Sequence, residues 1–316
     1  MRRSPVPFRA SLFALLLPLW AAAFVPAQPV QTVPGTPAPP DPGPAPAEAE
    51  APQPLPELPA FLESVRGNLH SDETLLDQYT FTEKHTERRL DGKGGVKKVT
   101  TETFEVYPSL EPGHTYRRLI EKDGRPLTSE ELAAEDRKHD RKVADAGDAA
   151  AEEKRAAKRA EARRKEESAV SQLFAVYDIR IAGRELVDGR PSIVLAFRPK
   201  PGVDPAGRAG KILVKFAGRA WIDEEDRQLV RVDAELVDTL SFGLGVLARL
   251  QKGSRASIIR RKINGEIWLP ALAHFTGSAR LLLVKGLNLD ATSEYSDYRK
   301  FQVATTSDFT PDPKPN

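Results

Sequence analysis

The sequence predicts an α+β protein that is mainly β: an antiparallel meander with a short covering helix and a long charged helical insertion. Three observations predict it. The stretch Lys211–Phe242 alternates apolar and polar residues with a period of two on either side of Asp223-Glu224-Glu225-Asp226, as a two-stranded antiparallel hairpin does. Short turn signals separate similar stretches along most of the chain, so sequential strands should pair as neighbours. A single long run of Ala, Glu, Lys and Arg interrupts them, and these residues favour helix.

In chain order, Arg2, Arg3 and Arg9 precede an apolar run from Leu12 to Val25 that ends in the small residues Val25-Pro26-Ala27. This is the pattern of a secretory signal over 1–27, with cleavage expected after Ala27. Residues 28–57 are dominated by Pro and Ala, a composition that buries little and favours extended conformations, so a disordered linker is expected. Phe61, Leu62, Val65 and Leu69 then fall at helical spacing, which predicts a short amphipathic helix able to cover a sheet face.

Strands are predicted at Tyr79–Leu90, Val96–Tyr107 and His114–Lys122, with Asp91-Gly92-Lys93-Gly94-Gly95 turning the first pair. Thr128-Ser129-Glu130-Glu131 is a capping box, with Thr128 reaching the amide three residues on and Glu131 reaching back. It opens the charged insertion, 129–172, which carries Glu–Lys/Arg pairs at helical spacing but no heptad seam. The insertion is either a solvated surface helix or an arm that docks a partner. Strands return at Phe174–Leu186, Ser192–Phe197, the Lys211–Phe242 hairpin, Leu244–Ile263, Leu269–Val284 and Leu289–Phe301, and 304–316 is expected to be a disordered tail.

The chain has 316 residues, a net charge of +2 and no cysteine. Interspersed charges of both signs give no polyanion-binding field, so a nucleic-acid partner is not expected. An exported protein without cysteine must be stabilised by its own apolar core. It also lacks the cysteine needed for N-acylation, so a periplasmic or secreted protein is expected, with peripheral or no membrane contact.

No chemistry stands out. His70, His85, His114, His139 and His274 are scattered without ligand spacing. No nucleophile elbow, phosphate loop or calcium-loop pattern occurs, so no catalytic residues, metal or cofactor are expected and the chain reads as a non-enzyme. Arg260-Arg261-Lys262 reads as a solvated strand face, Trp221 as a residue at the rim or on the convex side, and Trp268 as the lock of a strand start. Two stretches, Ala279–Val284 and Phe242–Leu250, are apolar at consecutive positions. That places apolar groups on both faces, so part of the sheet should be covered twice or should line a cavity.

The strands Gly218–Asp223 (GRAWID), Gly265–Pro270 (GEIWLP) and the closing segment with Tyr295, Tyr298 and Phe301 resemble those of the LolA/LolB-like superfamily of periplasmic lipoprotein carriers. The likeness spans about Leu58 to Val303, a single β domain over 58–303. The long charged insertion and the Pro/Ala linker depart from that family. The resemblance implies a strongly curved, incomplete barrel whose concave face, lidded by helix, holds a lipid or the acyl chain of a lipoprotein, as carrier or sensor. Its apolar wall would comprise Phe216, Ile222, Val232, Leu236, Leu282 and Val284, with Phe61 and Leu62 on the lid. The implied partner is a lipid or an acylated protein. The alternative is a cell-envelope scaffold that binds a protein partner through the charged helix and takes no small-molecule ligand.

Overall fold

A computed structural model describes residues 53–68, 76, 79–107, 116–144, 172–205, 207–242, 248–281 and 285–301. The expected signal peptide, most of the linker, the second part of the insertion, the tail, His70, His114, Leu282 and Val284 lie outside the described residues.

The fold is a 13-stranded sheet, antiparallel at every pairing and open at both edges, with a few short helices. Helix α1 is Leu58–Arg66. Strands β1 (Tyr79–Leu90), β2 (Val96–Tyr107), β3 (Tyr116–Lys122) and the two-residue β4 (Arg125–Pro126) precede helix α2, Ser129–Ala144. Then come β5 (Tyr177–Val187), β6 (Arg190–Pro199), helix α3 (Gly207–Leu213), β7 (Phe216–Asp223) and β8 (Leu229–Leu236). The chain closes with the short β9 (Leu240–Phe242) and β10 (Ala248–Leu250), then β11 (Arg255–Ile263), β12 (Ile267–Leu281) and β13 (Lys285–Lys300).

The strand order is β4-β3-β2-β1-β13-β12-β11-β8-β7-β6-β5. Most neighbours are sequential, as a meander requires. Two joins are not: β8 pairs with β11, skipping the short β9 and β10, and β1 pairs with β13, from Tyr79↔Lys300 to Leu90↔Asn288. The first hairpin is therefore attached beyond the last strand, and β4 and β5, which flank the charged insertion in sequence, form the two opposite edges. Tight turns set the hairpins. Asp123-Gly124, Asp188-Gly189 and Asn264-Gly265 each place both residues at positive φ, the conformation that makes such dipeptides good hairpin turns.

The alternation in β7 and β8 sorts their side chains between two faces. Phe216, Ala220, Ile222, Val232, Ala234 and Leu236 point to an inner face, where they join Ile193 and Leu195 of β6, Phe275 of β12 and Leu289 and Ala291 of β13. Phe61 and Val65 of α1 are buried in the same cluster. On the outer face Val194, Trp221, Val230 and Trp268 form a second buried cluster. Central strands are thus covered on both faces, which explains why β6 reads Ser192-Ile193-Val194-Leu195 with no exposed position.

Several expectations are corrected. Lys211–Leu213 is the end of α3 rather than the start of a strand, and β7 begins at Phe216. Ile212 and Leu213 are both buried, at 9% and 4% exposure, which a helix end achieves and a one-faced strand does not. Residues 172–176 are likewise a helical turn, and β5 begins at Tyr177. Of the span 244–263, residues 244–247 lie outside the described residues, and 248–263 form two strands because a turn at 252–253 breaks them. Trp221 is only 4% exposed. It does lie opposite Ile222, but Arg231 covers its ring at 4.5 Å and its indole N–H donates to Glu185 at 2.8 Å. Long charged side chains, rather than a second layer, dry that face. Arg260 is no solvated residue either: it is 3% exposed and donates to the carbonyls of Leu229 and Trp268 at 3.1 and 2.7 Å.

Helix α2 packs on the outer face of β3. Its Thr128 and Glu131 form the expected reciprocal cap, at 2.8 Å for Thr128 N to Glu131 Oε2 and 3.3 Å for Glu131 N to Thr128 Oγ1. Asp136 accepts both nitrogens of Arg118, at 2.8 and 2.9 Å, and the Tyr116 hydroxyl at 2.6 Å. The His139 ring stacks on Tyr116 with centroids 4.0 Å apart. No described helix is long and apolar enough to cross a membrane.

Candidate functional site

The inner face divides into two halves, and the cross-strand register locates the seam. On the β5-to-β13 side it is apolar. Six of the expected wall and lid residues come together there: Phe61, Leu62, Phe216, Ile222, Val232 and Leu236 belong to one cluster. Phe61, Phe216, Ile222, Val232 and Leu236 are all buried, and Leu62 is half-buried against them. The sequence reading missed Ile193, Leu195, Phe275, Leu289 and Ala291, which complete the same wall. Their signal was the alternation Leu289-x-Ala291-x-Ser293-x-Tyr295 in the last strand.

Helix α1 lies on this wall because its apolar stripe has nowhere else to go. Pro59 at the start of the helix suits the first turn, where an amide has no intrahelical partner. The turn joining β7 to β8 holds it from several directions. The Asn68 side-chain amide donates to the Asp226 carbonyl at 3.3 Å. The Arg227 guanidinium lies 5.1 Å from the Phe61 ring centroid. Arg184 of β5 binds Glu224 through two nitrogens at 2.7 Å each, and donates to the carbonyls of Gln53 at 2.5 Å and Pro54 at 3.1 Å. The Glu224 carboxylate raises the Arg184 pKa still further, so this guanidinium stays charged at any working pH.

That turn is itself well fixed. Asp223, 1% exposed, accepts Arg190 Nε at 2.6 Å and Nη2 at 2.9 Å. It also accepts the amides of Glu225 and Asp226 at 3.1 and 2.7 Å. Asp226 accepts the Trp268 indole at 2.7 Å and Lys262 at 3.1 Å. Burial pushes the Asp226 carboxyl up, but Lys262, Trp268 and Arg190 outweigh it and hold its pKa below the ordinary value. Trp268, the second residue of β12, thus ties the start of that strand to the hairpin tip.

Beyond the seam the inner face turns polar. The register pairs Leu289 with Arg89, Ala291 with Glu87, Ser293 with His85 and Tyr295 with Glu83. The charges are matched in pairs: Glu83–Arg117 at 2.9 Å, Glu87–Arg89 at 2.8 Å and Glu102–Lys122 at 3.4 Å. His85 Nδ1 lies 3.0 Å from the hydroxyl of the buried Ser293. Burial lowers the His85 pKa, while Glu83 and Glu87 pull the other way. An amphiphilic concave surface was not anticipated, because which β1 position faces which β13 position is set by a pairing some two hundred residues apart in sequence.

Among the described residues no three His, Asp or Glu side chains come together in a way that could hold a metal ion. His274 is near Asp290, 2.9 Å from Nε2 to Oδ2, and Arg88 shares that carboxylate at 3.1 Å.

No family model matches the sequence, and no curated protein matches it. Solved structures do match. A LolA superfamily protein from Nitrosomonas europaea aligns over 78% of this chain and 94% of its own, with 10% identity and a TM-score of 0.27. A DUF1329 family protein from Desulfovibrio piger aligns over 77% and 92%, with 13% identity and a TM-score of 0.26. The MucA/MucB complex of Pseudomonas aeruginosa aligns over 77% and 99%, with 13% identity and a TM-score of 0.21. At these values the residue assignments above rest on this chain's own geometry.

Proposed function

We propose that this is an exported, non-enzymatic carrier or sensor that binds an apolar ligand, a lipid or a protein-linked acyl chain, between α1 and the inner face of the half-barrel. The observation that carries the reading is the placement of α1: one nine-residue helix, tied at its ends by side chains, caps an apolar wall drawn from at least five strands. Lifting it exposes Phe216, Ile222, Val232 and Leu236, and a long apolar ligand could replace the contacts of Phe61 and Val65 without leaving that surface wet. The neighbouring polar half of the face would receive a head group. Leu282 and Val284 stay in this proposal as wall residues on sequence grounds.

The test is uptake of an environment-sensitive apolar dye by the purified protein, its displacement by acylated compounds, and native mass spectrometry of protein taken from its own envelope. Dye uptake that acyl chains displace, with a co-purifying lipid, is the expected result. A chain that takes up no dye and carries no lipid would sink the proposal.

A second reading has one observation in its favour. Helix α2 is anchored on the outer face and presents Arg137, Lys138, Asp140 and Arg141 to solvent, as a docking arm for an envelope protein would. Deleting Glu130–Glu167 separates the readings: a carrier keeps its dye binding, whereas a scaffold loses its partner.

A further inference from the structure

The described parts of the two stretches that are apolar at consecutive positions lie against each other. Strand β10 pairs with β12 through Ala248↔Leu281, Arg249↔Arg280 and Leu250↔Ala279. Ala248 and Leu281, the described ends of these strands, therefore lie side by side at one end of the sheet. The β1–β2 turn leaves from the same end, since Leu90 pairs with both Val96 and Asn288, and Asn288 pairs with Ser278. Asn288 clips the turns together, donating to the Asp91 carbonyl at 3.0 Å and accepting the Ser278 hydroxyl at 2.7 Å.

This end is unusual in charge. Residues 91–99, 248–251 and 278–281 contain Lys93, Lys97, Lys98, Arg249 and Arg280 but only one acid, Asp91, so they carry 5 − 1 = +4 in a chain whose net charge is +2. Asp91 is already occupied, accepting the amides of Lys93 and Gly95 at 2.8 Å each. Arg249 and Arg280 stand directly opposite each other, both exposed, and neither has a carboxylate partner among the described residues. Like charges directly opposite on a sheet are destabilising, and an anion bound between them would relieve that repulsion.

The end is also apolar where turns are ordinarily polar. Val96 is 56% and Val99 48% exposed, two of the five large hydrophobic residues exposed among the described residues. A soluble polyanion has no use for exposed valines. An anionic lipid surface uses both features, with cations at the phosphates and apolar groups at the headgroup boundary.

We propose that this end of the sheet docks on an anionic membrane surface, with Lys97, Lys98, Arg249 and Arg280 meeting lipid phosphates and Val96 and Val99 entering the headgroup layer. The proposal is independent of what the inner face binds, and its test uses no acyl ligand. The protein, processed by the secretion machinery of the cell that expresses it, is floated with vesicles of phosphatidylglycerol and phosphatidylethanolamine or of phosphatidylcholine alone. Binding is expected to the anionic vesicles only, and to weaken as salt rises. The charge reversal K97E/K98E/R249E/R280E should weaken it by more than about tenfold. V96D/V99D should weaken it too, although every cation remains. All six positions are exposed, and circular dichroism melting confirms that each variant folds; K97E/K98E alone serves if the fourfold variant does not. Failure to float with anionic vesicles overturns the proposal, as does binding that survives both variants. If V96D/V99D binds unchanged while heparin competes fully, the surface belongs to a soluble polyanion and the membrane assignment is wrong.

Discussion

Arg190 grips Asp223 in a two-pronged ion pair, Nε to Oδ2 at 2.6 Å and Nη2 to Oδ1 at 2.9 Å, across the end of the β6–β7 ladder. Asp223 is essentially sealed from solvent and Arg190 is partly exposed. The carboxylates raise the Arg190 pKa, so the guanidinium is charged throughout. The pair matters for the site because Asp223 also orders the turn that clasps α1. Removing one partner of a buried pair leaves an uncompensated charge, a loss of about 3–5 kcal/mol. Arg190→Met should lower stability by an amount in that range in urea unfolding, and should raise dye uptake by loosening α1. A loss below about 1 kcal/mol would show the pair to be no more than a surface contact.

Gly277 of β12 allows a close approach that no other residue would. A Cβ there would fall 2.4 Å from Ser254 Oγ, 2.6 Å from Ser254 Cβ and 3.0 Å from Phe275. Overpacking of this kind costs about 1–3 kcal/mol. Gly277→Ala should lower the melting temperature, and adding Ser254→Gly should recover part of the loss. An unchanged melting temperature for Gly277→Ala would show that the strand shifts freely.

Helix α2 should respond to acid at its start. Arg125, followed by the Thr128 amide, holds the Glu131 pKa down to about 2, from an ordinary value of 4.5. A depressed carboxyl contributes stability that is fully present above its unfolded pKa and is lost as pH falls through its folded pKa. The first turn of α2 should therefore be intact above pH 4.5 and fray as pH drops toward 2. Amide exchange at Glu131 and Leu132 against pH reads this out, and Glu131→Gln should flatten the dependence. A midpoint at the ordinary Glu value would rule out the Arg125 contact in solution.

Docking of α2 on the outer face depends on Asp136, which serves both Arg118 and Tyr116. These partners hold its carboxyl below the ordinary range, Arg118 first. Asp136→Ala should free the helix without melting the sheet. The readout is limited proteolysis: cleavage within 129–144 should accelerate severalfold while the thermal transition of the sheet is retained. Equal cleavage rates would assign the docking to the His139–Tyr116 stack instead.

Much of this protein was determined by its sequence alone. Period-two alternation specified β7 and β8 with their buried faces, since a strand must send successive side chains to opposite sides. The dipeptides Asp123-Gly124, Asp188-Gly189 and Asn264-Gly265 specified hairpins, and the capping box specified the start of α2, because these are local preferences. The apolar wall was half legible: Phe216, Ile222, Val232 and Leu236 sit in local patterns, and the Phe61–Val65 stripe announced a helix that needed a surface.

Tertiary structure decided the rest. Attachment of β1 to β13 put the matched charges of β1 and β2 beside the apolar wall, and no local pattern encodes that register. Trp221 and Arg260 look exposed in an alternating strand, but Arg231 covers one and buried carbonyls hold the other. The β10–β12 pairing set Leu250 opposite Ala279, where both join the main apolar cluster, a contact no local pattern encodes. A chain's periodicity fixes which way a side chain points, whereas what it meets there depends on partners brought in from distant sequence.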